Sequence, residues 1–365
     1  MIRVLHIFGG LGTGGTESLI MNWYRNIDRT KIQFDFLVRS ADDNYLEEIK
    51  SLGGRIFYTS SFPRHFIRNY KETKTILAKK EWDVIHVHGN AAMYILPLRL
   101  AKKLGYTHRI MHSHSIKAQN KVFSLVHNAN KLRFPQLATT CLACSSSAGQ
   151  WMFADFPFNL SRNAINIDSY RFDGTHRTRI REMLGVENKF VIGHVGRFAT
   201  PKNHTFLLNV FTNVKNKLPD SVLMLIGDGE LETSIKAQAE QLGITDSILF
   251  MGRKSNIGEL MSAMDMFVLP SLYEGLGIVL VEAQCNGLPC IVSQEAYNEE
   301  VKIYPELLSV LPLSRGAKEW SDLILSKTAI TTNRNVDLSI LRGCGYDMKT
   351  EIKKMEALYL QAEKG

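Results

Sequence analysis

The sequence predicts an α/β protein made of two doubly wound domains, and three observations lead there. Short apolar runs alternate with longer segments of helical period, a pattern that requires crossover connections and parallel strands covered on both faces. The alternation pauses near the middle of the chain and then begins again. The chain has 365 residues, 45% of them hydrophobic, which suits two cores at about 100 to 200 residues per domain.

In chain order, the first series of strands reads "VLHIF", "FDFLV", "RIFYTS", "DVIHVHG", "RIMHSHS" and "TTCLACS". Between them "ESLIMNWYRNI", "YLEEIKSLG" and "MYILPLRLAKKLG" carry apolar residues at helical spacing. The second series reads "FVIGHVGRF", "SVLMLIGDG", "SILFMG", "MFVLPS", "PCIVS" and "LSVLPL". Residues 157–188 hold turn formers and no long apolar run, so they are expected to form a linker between a first domain, 1–170, and a second, 186–346. The final segment, 347–365, is a helix too late for the second alternation and is expected to pack back on the first domain. Two such domains facing each other across a cleft would bind ligands at the carboxyl ends of their strands.

Composition narrows the class. No apolar stretch approaches the roughly 20 residues of a membrane span. "MIRVLHIFGG" lacks the h-region of a signal peptide, so it reads as the first strand of a cytoplasmic protein. Five cysteines argue against a disulfide framework, and Cys141 and Cys144 lie in a strand-like run that points to core packing. Residues 1–185 hold 26 Lys and Arg against 14 acids, whereas 186–365 hold 18 against 22. The net +12 of the first half points to an anionic partner.

Two glycine-rich turns carry the chemistry. "GGLGTGGTESLI" contains G-x-G-x-x-G at Gly10, Gly12 and Gly15, the form of a dinucleotide loop, but the second strand ends at Arg39 where NAD binding wants an acid. Thr16 is expected to cap the helix that follows. In the second series, "SLYEGLGIVLVEAQ" follows a strand; Gly275 and Gly277 allow close approach, and a helix starting near Gly277 aims free N–H groups at a ligand. Glu274 and Glu282 flank that helix start. Carboxylates repel phosphate, so their expected partners are paired hydroxyls, as in sugars and ribose. Arg197 and Lys202, in "GRFATPKN" after another strand, supply the cations for phosphate. Asp228 and Glu230 are read as the start of a helix.

Together "GGTE", "GRFATPKN", "GDGE" and "EGLGIVLVE" resemble the retaining glycosyltransferase family 4, which has the GT-B fold; "HVHG", "HSHS" and "RNAINIDSYRF" are similar to its capsular and exopolysaccharide branch. The resemblance implies that Arg197 and Lys202 bind a donor diphosphate, Glu282 the ribose hydroxyls and Glu274 the donor sugar. It further implies that the backbone at Gly277 and Ile278 approaches sugar and phosphate, that Arg253 to Ile257 lie near the base, and that Gly196, Gly229 and Leu276 complete the donor-binding set. Gly14 and Gly15 would lie near diphosphate and acceptor, and His114 would contact the transferred sugar, with His88 a weaker candidate. Whether His112 or His114 faces the site is left to strand register.

No D-x-D occurs in the chain, so neither metal nor other cofactor is expected, and Arg197, Lys202 and the helix tip are expected to replace a metal at the departing phosphate. For His86, His88, His112 and His114, hydrogen bonding in core or cleft is expected ahead of a zinc site. The expected function is transfer of a sugar from a nucleotide-sugar donor, UDP-linked, to a glycan or lipid-linked acceptor in surface polysaccharide synthesis. The alternatives are an NAD(P)-dependent nucleotide-sugar oxidoreductase or epimerase and a non-catalytic sugar-nucleotide binding protein. Segments 115–137 and 61–71 mix cations with apolar residues and are expected to meet an anionic membrane at its inner face. Nucleic acid is not an expected partner, since no aromatic stacking platform accompanies the charge.

Overall fold

The computed structural model describes residues 1–12, 14–40, 44–115, 121–328 and 334–363. The chain forms two units, Met1–Ala164 with Asp347–Gly365, and Ile165–Tyr346. Among the described residues, the first contains seven parallel strands: β1 (Ile2–Ile7), β2 (Ile32–Val38), β3 (Ile56–Tyr58), β4 (Val84–Gly89), β5 (His108–Ser113), β6 (Thr140–Ala143) and β7 (Asn159–Leu160). They lie in the order β3-β2-β1-β4-β5-β6-β7. The second contains β8 (Phe190–Val195), β9 (Ser221–Ile226), β10 (Ile248–Gly252), β11 (Met266–Leu269), β12 (Cys290–Ser293) and β13 (Leu308–Leu311), in the order β10-β9-β8-β11-β12-β13. In both sheets the order reverses beside the first strand, which leaves a crevice at the carboxyl ends of the strands.

The central strands of each sheet are buried on both faces, which is why they are apolar at successive positions rather than at alternate ones. In β1, Leu5 and Ile7 join one core with Ile85, Val87 and Met111, while Ile2 and Val4 join the other with Val84, Ile110 and Trp23. The helix Met348–Leu360 closes this second face, inserting Met348, Ile352, Met355 and Tyr359. Cys141 and Cys144 are buried in the opposite core. In the second unit the same parity sends Ile192, Met266 and Val268 to one core and Val191, Phe267 and Leu269 to the other.

The expected linker is not one. Asn159–Leu160 adds an edge strand to the first sheet, and the helix Gly174–Leu184 belongs to the second unit, so the boundary falls at 164/165 instead of 170. The helix escaped notice because Arg177 and Arg181 share its packed face with Ile180 and Leu184 and interrupt the apolar stripe. The arginines pair with Asp265, at 3.1 Å for Arg181, and with the carbonyls of Met264 and Ala263. The opening helix runs Gly15–Asn26 with Gly14 as its N-cap, so Thr16 lies in the first turn and does not cap it. No described helix is long and apolar enough to cross a membrane.

Candidate functional site

In the second unit, loops leaving the strand ends are laced together by their own backbones. The Phe198 amide donates to the Asp228 carbonyl at 2.7 Å, Leu231 to Phe198 at 2.9 Å, Gly227 to Gly252 at 3.0 Å and Leu272 to Pro201 at 2.8 Å. The glycines exist for this closeness. Gly227 has φ +142°, and a Cβ there would stand 2.1 Å from the Gly196 carbonyl oxygen; at Gly229, φ +155°, it would stand 2.5 Å from that of Phe198.

Lys202 ends a 3₁₀ turn, Thr200–Lys202, and its stem lies over Gly196. Its Nζ donates to Glu274 Oε1 at 2.7 Å, and Ser271 Oγ donates to the same oxygen at 2.6 Å. The pair is mostly buried, with the lysine side chain 20% and the glutamate 13% exposed. Ser293 in turn donates to the Ser271 carbonyl. Gly277, φ +73°, turns the chain into the helix Ile278–Cys285, whose first N–H groups have no acceptor within the helix. A Cβ at Gly275 would meet nothing within 4 Å, so the space above it is open.

Glu282 projects from that helix and is hydrogen-bonded by Tyr170. Burial pushes its carboxyl up to about 7, against the opposing pull of the Tyr170 bond and the Lys202 charge. Its neighbour Tyr170 lies in the segment expected to be linker, which is why sequence reasoning missed it; Ser271, also missed, stands three residues before Glu274. Arg197 extends toward solvent, 68% exposed, and pairs with Glu230 at 3.0 Å. Glu230 therefore serves this arginine, and the next helix opens only at Glu232. Arg253 is exposed and Ile257 starts a short helix; Leu276 is buried in the core and Ile278 is half-buried beside it. The structure thus gathers Lys202, Glu274, Gly196, Gly277 and Glu282, and leaves Arg197 and Arg253 reaching outward.

In the first unit, five histidines share the sheet face covered by Trp23 and Tyr359. His6 comes from β1, His86 and His88 from β4, and His112 and His114 from β5 and its end. His112 and His114 stack at 4.2 Å, so both lie on one face: register does not separate them as expected, because residues two apart in a strand point the same way. What separates them is depth, His112 being fully buried and His114 half-buried at the strand end. His6 Nδ1 meets His88 Nε2 at 2.9 Å, His88 Nδ1 meets His114 Nε2 at 2.9 Å, and His86 Nδ1 meets the Tyr359 hydroxyl at 2.8 Å. Burial holds all five rings neutral, His6 and His114 at about 3.

Ring nitrogens of His6, His86 and His88, and of His88, His112 and His114, lie within 4.8 Å of one another, a spacing compatible with a metal's ligands. In each 2.9 Å pair, however, the two nitrogens point at each other and not at a common third point. Gly14 and Gly15 stand at the start of the helix Gly15–Asn26.

Of the surface expected to meet a membrane, Lys117 lies outside the described residues. Leu125 and Leu132 are 71% and 74% exposed and Phe66 and Ile67 are 52% and 69% exposed, but Phe134 is fully buried in the core and cannot reach a lipid surface. Arg99, Lys102, Lys103 and Arg133 line one concavity on this unit.

Comparison with known proteins agrees with this geometry. Residues 13–164 match the family model "Glycosyltransferase Family 4" and residues 176–303 match "Glycosyl transferases group 1". The "Putative glycosyltransferase EpsF" of Bacillus subtilis (strain 168) is 34% identical over 98% of this chain and 96% of its own. The "UDP-Gal:alpha-D-GlcNAc-diphosphoundecaprenol alpha-1,3-galactosyltransferase" of Escherichia coli is 27% identical over 72% of each chain. The crystal structure of Anabaena HepE in complex with UDP and glucose superposes with a TM-score of 0.71 at 16% identity, covering 100% of this chain and 99% of that one.

Proposed function

Because the chain belongs to the family 4 glycosyltransferases and has their GT-B fold, we propose that it moves a sugar from a UDP-linked donor to a lipid-linked glycan acceptor. The transfer proceeds with retention at the anomeric carbon and without a metal, in the assembly of a surface polysaccharide. The observation that carries this reading is the Lys202–Glu274 pair beside the helix opening at Gly277. A sugar phosphate offers hydroxyls next to an anion, and this site offers an acid next to a cation and free N–H groups. The donor and acceptor classes are supported by the name of the E. coli relative, which gives UDP-Gal, a diphosphoundecaprenol-linked sugar and an alpha linkage.

As the anomeric bond breaks, negative charge gathers on the departing diphosphate and positive charge on the sugar. Lys202 and the helix tip attract that diphosphate more strongly in the transition state than in the ground state, which is what accelerates the step. Arg197 exchanges Glu230 for phosphate oxygens, which its planar fork suits. Glu274, released by Lys202, accepts from donor-sugar hydroxyls, and Glu282 accepts from the ribose.

Lys202→Ala is expected to lower turnover by about 10² to 10³, the usual loss of one preorganised group at a developing charge. UDP release from a panel of UDP-sugars measures it, and EDTA should leave the wild-type rate unchanged. Wild-type turnover by Lys202→Ala refutes the phosphate assignment. For the membrane partner, the exposed Leu125, Leu132, Phe66 and Ile67 lie on a unit rich in cations. Co-sedimentation with phosphatidylglycerol vesicles should be strong at low salt and weak at high salt. No binding at low salt removes that partner.

A further inference from the structure

Arg39, at the end of β2, is a cation that the donor site does not use. Its guanidinium is half-buried, with Cζ 4.3 Å from the centre of the Tyr94 ring and Nη2 beside the exposed Gly9 that follows β1. Among the described residues its one side-chain hydrogen bond is long, from Nε to the Phe8 carbonyl at 3.5 Å, and its terminal amino groups have no acceptor. Other arginines of this unit are matched: Arg3 and Arg55 pair with Asp35 at 3.0 and 2.6 Å, and Arg25 with Glu48 at 2.6 Å. Glu72, on the helix Phe66–Leu77, is taken by Arg68 and by the amide and hydroxyl of Ser60. Burial accordingly draws the Arg39 guanidinium below its usual value, opposed by Tyr94. A charge withdrawn from water with no counter-ion weakens a fold, and such a group is kept where a ligand supplies the counter-ion.

The surroundings say which anion that is. Tyr94 is held from behind: its hydroxyl donates to Asn69 Oδ1 at 3.0 Å, and the Asn69 amide donates to Thr59 Oγ1 at 3.2 Å and to the Ser60 carbonyl at 2.7 Å. The guanidinium therefore stands on a fixed floor. From that floor an aromatic path leads outward. The Phe62 ring lies 4.9 Å from that of Tyr94, and the Phe66 ring 6.0 Å from that of Phe62. Phe66 and its neighbour Ile67, both strongly exposed, open the helix Phe66–Leu77. A planar fork at the inner end and an apolar track to solvent at the outer end match a phosphate joined to a hydrocarbon chain. A neutral glycan would leave Arg39 unmet, and a small hydrophilic anion would leave Phe66 and Ile67 in water.

We infer that Arg39, standing on Tyr94, binds a phosphate group of the lipid-linked acceptor, with the lipid chain leaving over Phe62, Phe66 and Ile67. This rests on the reading of the acceptor as lipid-linked. The residues involved lie in the segments that follow β1, β2, β3 and β4, so the site is complete within the first unit. It also accounts for a cation at the strand end where a dinucleotide fold carries an acid, since an acid there would repel the phosphate.

The test measures binding of a short prenyl diphosphate, farnesyl diphosphate, to the full chain by calorimetry, with saturating UDP present so that the donor's own phosphate site is filled. The wild type is expected to bind it. Arg39→Gln should weaken binding about ten- to hundredfold, the usual contribution of a charge-assisted hydrogen bond, at unchanged UDP affinity. Phe66→Ser with Ile67→Ser should weaken farnesyl diphosphate and leave inorganic diphosphate as in the wild type, whereas Arg39→Gln should weaken both. Gly9→Asp keeps the arginine and brings a carboxylate beside its Nη2; a Cβ there makes only ordinary contact, at 3.9 Å. It should weaken binding too, and Gly9→Asn, of the same shape without the charge, should weaken it less. No binding of farnesyl diphosphate by the wild type, wild-type affinity in Arg39→Gln, or Arg39-dependent binding of NADPH in its place overturns the inference; if Arg39→Gln does not fold, Gly9→Asp decides. Failure to release UDP from any UDP-sugar would instead refute the transferase reading, while the binding data still decide Arg39.

Discussion

At the scale of single residues, Glu282 joins burial to function. The folded chain holds its proton to about 7, against an ordinary value of 4.5. Its contribution to stability is therefore complete below about 4.5 and is lost as pH rises toward 7. Ribose binding has the opposite sense. The ionised carboxylate accepts from two hydroxyls, while the acid gives up an acceptor, so donor KM should fall as pH rises through about 7. Glu282→Gln should abolish that step and raise KM throughout, with a smaller effect on kcat. Initial rates across pH at varied UDP-sugar check both, and a wild-type KM flat between pH 6 and 8 would remove Glu282 from the ribose. The residue types were legible here: Lys202, Glu274 and Glu282 are the cation and acids that the strand-end loops advertise. Their pairing was not, because the 2.7 Å contact joins residues 72 apart.

Among elements, the loops at the strand ends carry two glycines with opposite expected behaviour. Gly227→Ala places a Cβ against backbone at a positive φ, with no flexible side chain to yield. A loss of about 2 to 4 kcal/mol is expected, visible as a lowered denaturation midpoint and weakened activity. Gly275→Ala meets nothing within 4 Å. It should leave thermal stability unchanged while lowering kcat/KM, because only a bound donor would occupy that space. Equal stability loss in both would mean that Gly275 serves the fold and not a ligand. All twelve longer strands, β1 to β6 and β8 to β13, were legible as apolar runs, since the central ones, buried on both faces, need no polar alternation. The two-residue β7 was not, having no pattern long enough to show. The helix Gly174–Leu184 was hidden by the arginines on its packed face, whose burial is compensated by Asp265 and carbonyl oxygens that only the fold brings near.

For the whole molecule, the chain's return matters most: the first unit is completed by residues that follow the second. Tyr359 is fully buried, and its hydroxyl meets His86 across 273 residues of sequence. Tyr359→Ala should cost about 3 to 5 kcal/mol, and deleting residues 347–365 should unfold the first unit. Circular dichroism and thermal melting of both variants test this. A truncated chain with the full wild-type melting profile would show that the last helix is dispensable.

By itself the sequence determined the two series of parallel strands, the glycine turns and the charged residues at their ends, because each is written in residues adjacent along the chain. Family membership was legible for the same reason. Tertiary structure alone decided that five histidines form one stack, that Lys202 faces Glu274, that Arg197 turns to Glu230 and that Tyr170 reaches Glu282. Those partners come from different strands and helices, and their distances depend on sheet order and register, which no local pattern encodes.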